Sequence, residues 1–244
     1  MRRSDSKPDI DGCKDPSNIR RLFEGVVHCY DLLNSVLSLG LHMRWREEAL
    51  RYADMREGMR VLDLCTGTGD MAIGAFRRIN GRGTVAGLDF CDTMLQRAIS
   101  KYPRSLYPGL SFLEGDALNT PFADNCFDTV TVAFGLRNLA EPERALQEIR
   151  RVLRLNGRLV ILDFTRPAGS IKSHIYGICR KYIVPAVGGI VSGNRGAYQY
   201  LSDSIDSFDT IEELVCRLVN AGFAGITARP LTMGVVSVFM AEKH

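Results

Sequence analysis

The chain has 244 residues, 45% hydrophobic and 24% charged, enough apolar material for one large domain with a full core. A net charge of +3 is too small to argue for a nucleic-acid partner, and no apolar run approaches the roughly 18 residues of a membrane-spanning helix. Seven scattered cysteines (Cys13, Cys29, Cys65, Cys91, Cys126, Cys179 and Cys216) include no C-x-x-C pair, and the four histidines lack metal spacing. This pattern predicts reduced thiols in a cytosolic protein, with neither a disulfide frame nor a bound metal.

The first 17 residues are polar, without an apolar signal core, and read as a disordered tail. Residues 18–244 form the single domain. Helices are expected over 18–56. Ile19, Leu22, Phe23, Val26 and Val27 recur at helical spacing, Leu32, Leu33, Val36 and Leu37 continue the pattern, and a helix near 42–53 carries the single tryptophan, Trp45. Gly58 then introduces a short apolar strand, 60–64. Alternation follows: helix 70–79, strand 84–88, helix 92–101, strand 110–113, a loop over 114–125, strand 128–133, helix 141–154, a turn at Leu155-Asn156-Gly157 and strand 158–163. Such a rhythm predicts a parallel sheet with helices on both faces. It breaks over 170–205, an apolar, aromatic and glycine-rich stretch read as a helical insert over the ligand pocket. Helix 210–221 and strands near 224–230 and 235–241 close a seven-stranded sheet with an antiparallel hairpin.

The most telling stretch is VLDLCTGTGD at 61–70. A buried strand runs into a tight turn in which Gly67 and Gly69 let the backbone approach a ligand. About twenty residues on, a second short strand ends in Asp89, an acid suited to the two hydroxyls of a ribose. Together they point to an adenosine-containing cofactor at the C-terminal ends of the strands. A nicotinamide dinucleotide would bring a pyrophosphate to the start of the following helix. Asp70 stands there and would repel it, and Asp63 adds a second negative charge. Both acids suit an amine or a sulfonium, so S-adenosylmethionine is the cofactor expected.

The chain resembles the quinone-biosynthesis C-methyltransferases of the UbiE/MenG type over about residues 18–243. The likeness is carried by YDLLNSVLSLGLHMRWR (30–46), VLDLCTGTGD (61–70), FADNCFDTVTVAFGLRNL (122–139), VLRLNGRLVILDFTRP (152–167) and YQYLSDSI (198–205). The resemblance implies a class I, Rossmann-like S-adenosylmethionine-dependent methyltransferase fold with a helical cap. It also implies methylation of a ring carbon of a polyprenylated quinol, such as demethylmenaquinol. It places donor contacts at Thr68 and Asp89, an adenine contact at Asp116-Ala117, and Ala133 along the pocket. Three positions depart from the family pattern: Cys65 stands at the first glycine of the generic turn, Asp116 where asparagine is frequent, and Ala133 where serine is frequent.

Arg137 and Asn138, in the segment Phe134-Gly-Leu-Arg-Asn138 at the sheet's ligand edge, are the catalytic candidates. Arginine is a poor base, its pKa exceeding about 12, so Arg137 is expected to polarise the quinol oxygen or hold a water. Tyr30, Asn34, His42, Asp163, Tyr198 and Tyr200 are candidate acceptor contacts, each equally readable as core packing or a helix cap. Tyr176 to Val191 is the expected groove for an isoprenoid tail. Arg180, Lys181 and Arg195 are cations that suit anionic headgroups during a transient visit to the inner membrane face. The fold leaves two other readings open: methylation of another aromatic or polyketide phenol, and a non-catalytic scaffold.

Overall fold

Seven strands form one sheet in the order β3-β2-β1-β4-β5-β7-β6. A computed structural model describes residues 19–21, 24–25, 27–165 and 209–244. The expected tail (1–17), the insert (170–205) with its groove and basic residues, and Tyr198 and Tyr200 lie outside the described residues.

Strands β1 (Arg60–Leu64), β2 (Thr84–Asp89), β3 (Leu110–Glu114), β4 (Phe127–Ala133) and β5 (Leu153–Phe164) are parallel. Strand β7 (Val236–Lys243) pairs antiparallel with both β5 and β6 (Phe223–Leu231), as the predicted hairpin requires. Chain order reverses between β1 and β4, which pair side by side with Leu62 opposite Val130. In an open α/β sheet this reversal opens a crevice at the strands' carboxyl ends.

Side chains alternate across each strand, so the sheet has two apolar faces. Leu62, Leu64, Val130, Val132, Leu159 and Ile161 pack with α5 (Pro142–Val152) and α6 (Ile211–Asn220). On the other face, Val61, Val85, Val160, Leu162 and Val238 pack with α2 (Leu41–Tyr52) and α3 (Asp70–Arg78). Asp63 follows Val61 by two residues, so it points to the α2 side. Two further helices are α1 (Tyr30–Leu37) and α4 (Asp92–Lys101). Helix α6 starts in a capping box: Glu213 N donates to Thr210 Oγ1 at 3.2 Å and Thr210 N to Glu213 Oε2 at 2.7 Å.

Two boundaries differ from expectation. Helix α5 ends at Val152 and β5 begins at once with Leu153, which pairs with Phe127 before the register jumps to Thr129 opposite Arg158. The predicted turn at 155–157 is therefore a bulge inside the strand run, with Asn156 in the left-handed region at φ 60°. Full burial of Leu153 and a 2.7 Å hydrogen bond from Lys243 Nζ to its carbonyl anchor this early start. Near the N-terminus, α1 and α2 are separated at Leu39 and Gly40, both with positive φ, and residues 53–59 are turn rather than helix. No helix among the described residues is long and apolar enough to cross a membrane.

Candidate active site

The turn from β1 into α3 takes left-handed backbone at Cys65, Gly67 and Gly69, with φ of 54°, 54° and 83°. The two glycines serve different ends. A Cβ on Gly69 would lie 2.8 Å from the Phe112 ring, so this glycine lets the turn pack on β3. A Cβ on Gly67 would meet nothing within 4 Å, so this side of the turn is an open cradle.

Asp89 ends β2 with both carboxylate oxygens engaged. Oδ2 accepts from Gly67 N at 2.8 Å and Oδ1 from Cys91 N at 3.0 Å. Burial raises its pKa, against the pull of these N–H groups. Asp63 lies beneath the turn, fully buried, and accepts from Thr66 Oγ1 at 2.6 Å and Thr131 Oγ1 at 2.7 Å. Burial lifts its carboxyl to a pKa of about 6, because hydroxyls solvate an anion less well than water does.

Asp70, expected to suit a ligand's cation, already has partners within the protein. Lys101 Nζ donates to its Oδ1 at 2.6 Å and Tyr102 OH at 3.1 Å. Burial opposes its ionisation, but the charges of Arg46 and Lys101 and these hydrogen bonds prevail, so its pKa is lowered. Thr68, the expected methionine contact, is 3% exposed and donates to Asp31 Oδ1 on α1 at 2.8 Å. Lys101 also reaches Asp31 Oδ2 at 3.1 Å, so α1, α3 and α4 meet in one charged cluster. Sequence reading missed Asp31 and Lys101. The first adjoins a candidate, Tyr30, but no local pattern signals Lys101, 31 residues from Asp70.

The opposite wall of the crevice follows β4. Phe134 is left-handed at φ 59°, and a Cβ on Gly135 would lie 2.4 Å from Cys65 Cβ, so the β1 and β4 turns touch. Arg137 Nη1 donates to Asp163 Oδ1 at 2.7 Å and to Phe134 O at 2.6 Å, while Arg137 N reaches Asp163 Oδ2 at 3.3 Å. Both members of the pair are buried, at 6% and 0% side-chain exposure, so the charge of Arg137 is matched inside the protein. Its Nε is buried and has no hydrogen-bond partner among the described residues. Asn138 Nδ2 makes a long 3.4 Å contact with Phe134 O. Trp45, Phe134 and Phe164 form an aromatic group with centroids 5.1–6.3 Å apart, and Trp45 Nε1 donates to Thr232 Oγ1 at 2.8 Å.

Of the remaining candidates, Asp116 is exposed and accepts from Leu118 N at 2.8 Å within its own turn, while Ala117 is buried. Gly115 N donates to Asp89 O at 3.0 Å, which joins this segment to the end of β2. Ala133 is half-buried at the end of β4. Tyr30 packs on Val27, Cys91 and Met94. The Asn34 carbonyl accepts from Ser38 N at the end of α1. His42 is buried and shares a 2.8 Å hydrogen bond with Ser38 Oγ. Burial, then the Arg46 charge, lower its pKa, so its ring is neutral at pH 7.

A seven-stranded sheet with this strand order, a glycine turn after β1 and an acid ending β2 define a class I methyltransferase of the S-adenosylmethionine-dependent kind. A solved S-adenosylmethionine-dependent methyltransferase from Aquifex aeolicus shares the fold with a TM-score of 0.60 at 20% identity, over 96% of this chain and 97% of its own. The chain belongs to the ubiE/COQ5 methyltransferase family, whose model matches residues 11–243. It is 41% identical to the demethylmenaquinone methyltransferase of Thermus thermophilus, over 91% of this chain and 100% of that protein. It is also 37% identical to the 2-phytyl-1,4-naphtoquinone methyltransferase of a Nostoc species, over 93% and 99%.

Proposed function

We propose that the protein methylates a ring carbon of a polyprenylated quinol with S-adenosylmethionine, converting demethylmenaquinol to menaquinol, with the ubiquinone-pathway benzoquinol as a second acceptor. The observation that carries this reading is the likeness, along nearly the whole chain, to relatives named for methylating demethylmenaquinone and a phytyl naphthoquinone.

The crevice suits both reactants. When bound, the donor supplies a methyl group made electrophilic by a cationic sulfur. Gly67 and Gly69 admit it close to the backbone. In this reading Asp89 receives the ribose hydroxyls, Asp116 and Ala117 the adenine, Thr68 the methionine end, and Ala133 lines the wall. Asp63 supports the turn from below through Thr66. Trp45, Phe134 and Phe164 offer a flat apolar wall on which an acceptor ring can stack.

A quinol carbon becomes much more nucleophilic when a phenolic proton leaves. His42, neutral at pH 7 and three residues before Trp45 on α2, is the group able to take that proton. Net, the ring carbon gains the methyl and loses its hydrogen as a proton, while sulfur departs with its bonding pair. Arg137, matched by Asp163, acts as a positioning residue that holds the Phe134 turn, and Asn138 supports the same carbonyl. Tyr30 and Asn34 lie on the helix that covers the donor turn. The acceptor's isoprenoid tail belongs to a bilayer, so the protein visits the inner membrane surface from the cytoplasm. Exposed Leu32 and Val36 on α1, Leu39, and Met43 on α2 are apolar contacts for that visit.

The test is transfer of label from methyl-labelled S-adenosylmethionine to demethylmenaquinol, a demethylated benzoquinol and simple phenols under reducing conditions. Label in the naphthoquinol ring is expected. Measurable donor binding with no label in any quinol would overturn the proposal.

A further inference from the structure

S-adenosylmethionine is zwitterionic at its methionine end, carrying an ammonium and a carboxylate. The sequence supplies acids around the turn but leaves the carboxylate without a partner. Lys101 is a poor candidate because Asp31, Asp70 and Thr68 already surround its ammonium. Arg137 is tied to Asp163.

Arg46 is differently placed. It is half-buried on α2, immediately after Trp45, with its guanidinium carbon 5.4 Å above the centroid of the Phe134 ring. Phe134 is the left-handed residue whose turn touches the β1 turn at Cys65 and Gly135. The Arg46 guanidinium is therefore set on the crevice wall. Its one hydrogen bond among the described residues is a long 3.4 Å contact with the His42 carbonyl, and no carboxylate there lies within ion-pair distance. Its charge is nevertheless felt at Asp63 and Asp70, the acids at the two ends of the donor turn. A guanidinium carries five N–H donors in a fork that matches a carboxylate, and most of this fork is unengaged among the described residues.

We propose that Arg46 binds the α-carboxylate of the methyl donor. The contact with the Phe134 ring holds the guanidinium at the crevice wall and leaves N–H groups for a bidentate ligand. The inference rests on the donor in the reading above and is independent of the acceptor, so the quinol assay can fail without affecting it.

The experiment compares two ligands that differ only in this carboxylate: S-adenosylmethionine and its decarboxylated analogue. Each is titrated calorimetrically into the full chain and into Arg46→Met and Arg46→Lys, without acceptor. Arg46→Met is expected to weaken binding of S-adenosylmethionine roughly 10- to 100-fold, the scale of hydrogen bonds to a charged group. Affinity for the decarboxylated analogue should change less than about twofold, and Arg46→Lys should fall between, since it keeps charge and loses the fork. Equal loss for both ligands, or loss for neither, would overturn the proposal. If Arg46→Met does not fold, Arg46→Lys decides alone: the wild-type preference for the carboxylate-bearing ligand must shrink.

Discussion

Asp63 and Glu148 are both buried carboxylates that accept hydrogen bonds from threonine, yet their surroundings push them in opposite directions. Glu148 on α5 accepts from Thr120 N and Thr120 Oγ1, each at 2.7 Å, and pairs with Arg151 at 2.7 Å. Burial works against its ionisation, but the Arg151 and Thr120 hydrogen bonds prevail and take its pKa down to about 2. Arg151 also ties Asp124 and the Phe122 carbonyl, so the loop that begins at Asp116 is stapled to α5. Asp63 has two hydroxyls and no ion pair among the described residues, with only the weaker pull of the Arg46 charge, so burial prevails and its pKa rises to about 6. The α5 edge uses ionisation to gain stability. The crevice holds an acid at a cost in stability, as sites built for a ligand commonly do.

The buried pair on the crevice wall breaks this contrast most sharply. Arg137→Ala leaves Asp163 charged and unmatched in the core, with an expected loss of about 3–5 kcal/mol in urea unfolding. A loss under 1 kcal/mol would mean that the Asp163 charge is relieved some other way. Next is the contact between the two turns. Gly135→Ala forces a methyl against Cys65 and should cost about 1–3 kcal/mol. Adding Cys65→Gly should recover most of it, and failure to do so would show that the turns do not meet there.

The two carboxylates then separate by pH. The folded pKa of Glu148 lies below its ordinary 4.5, so its contribution is fully present above that value and disappears as pH falls toward 2. Glu148→Gln should therefore cost about 2 kcal/mol at pH 7 and almost nothing near pH 2. For Asp63 the sign is reversed. Its folded pKa lies above the ordinary 3.8, so its favourable contribution is present below that value and is lost as pH rises through about 6. Asp63→Asn should abolish this slope, changing the wild-type-minus-variant stability by about 2 kcal/mol between pH 4 and 7. Parallel pH profiles for the two proteins would show that Asp63 does not titrate in that range.

Much of the frame was readable from local pattern. Apolar runs bounded by glycine marked β1 and β2 within a residue or two and put the Gly67 turn and Asp89 at one edge of the sheet, but the hydrogen bond that joins Gly67 N to Asp89 was not among the readings. The start of β5 was not readable, because Leu153 enters the strand directly from α5 and Gly157 looks like the break. Pairings across the fold were hidden as well. Arg137 and Asp163 were both candidates, but 26 residues separate them and nothing local couples them. Lys101 and Arg46 carry no local signal of a site in the sequence. Only the packing of α1, α2 and α4 around the turn brings their charges to it.

Cys65 gives the site a form of chemical durability. A methyl donor is an alkylating agent, and the nucleophilic form of cysteine is the thiolate. This thiol sits in the turn itself, where burial and then the negative charges of Asp89, Asp63 and Asp163 raise its pKa well above the ordinary 9.0. It stays protonated throughout the physiological range, so, with the donor seated at this turn as proposed, the sulfur is shielded from self-alkylation by its burial first and then by the acids around it.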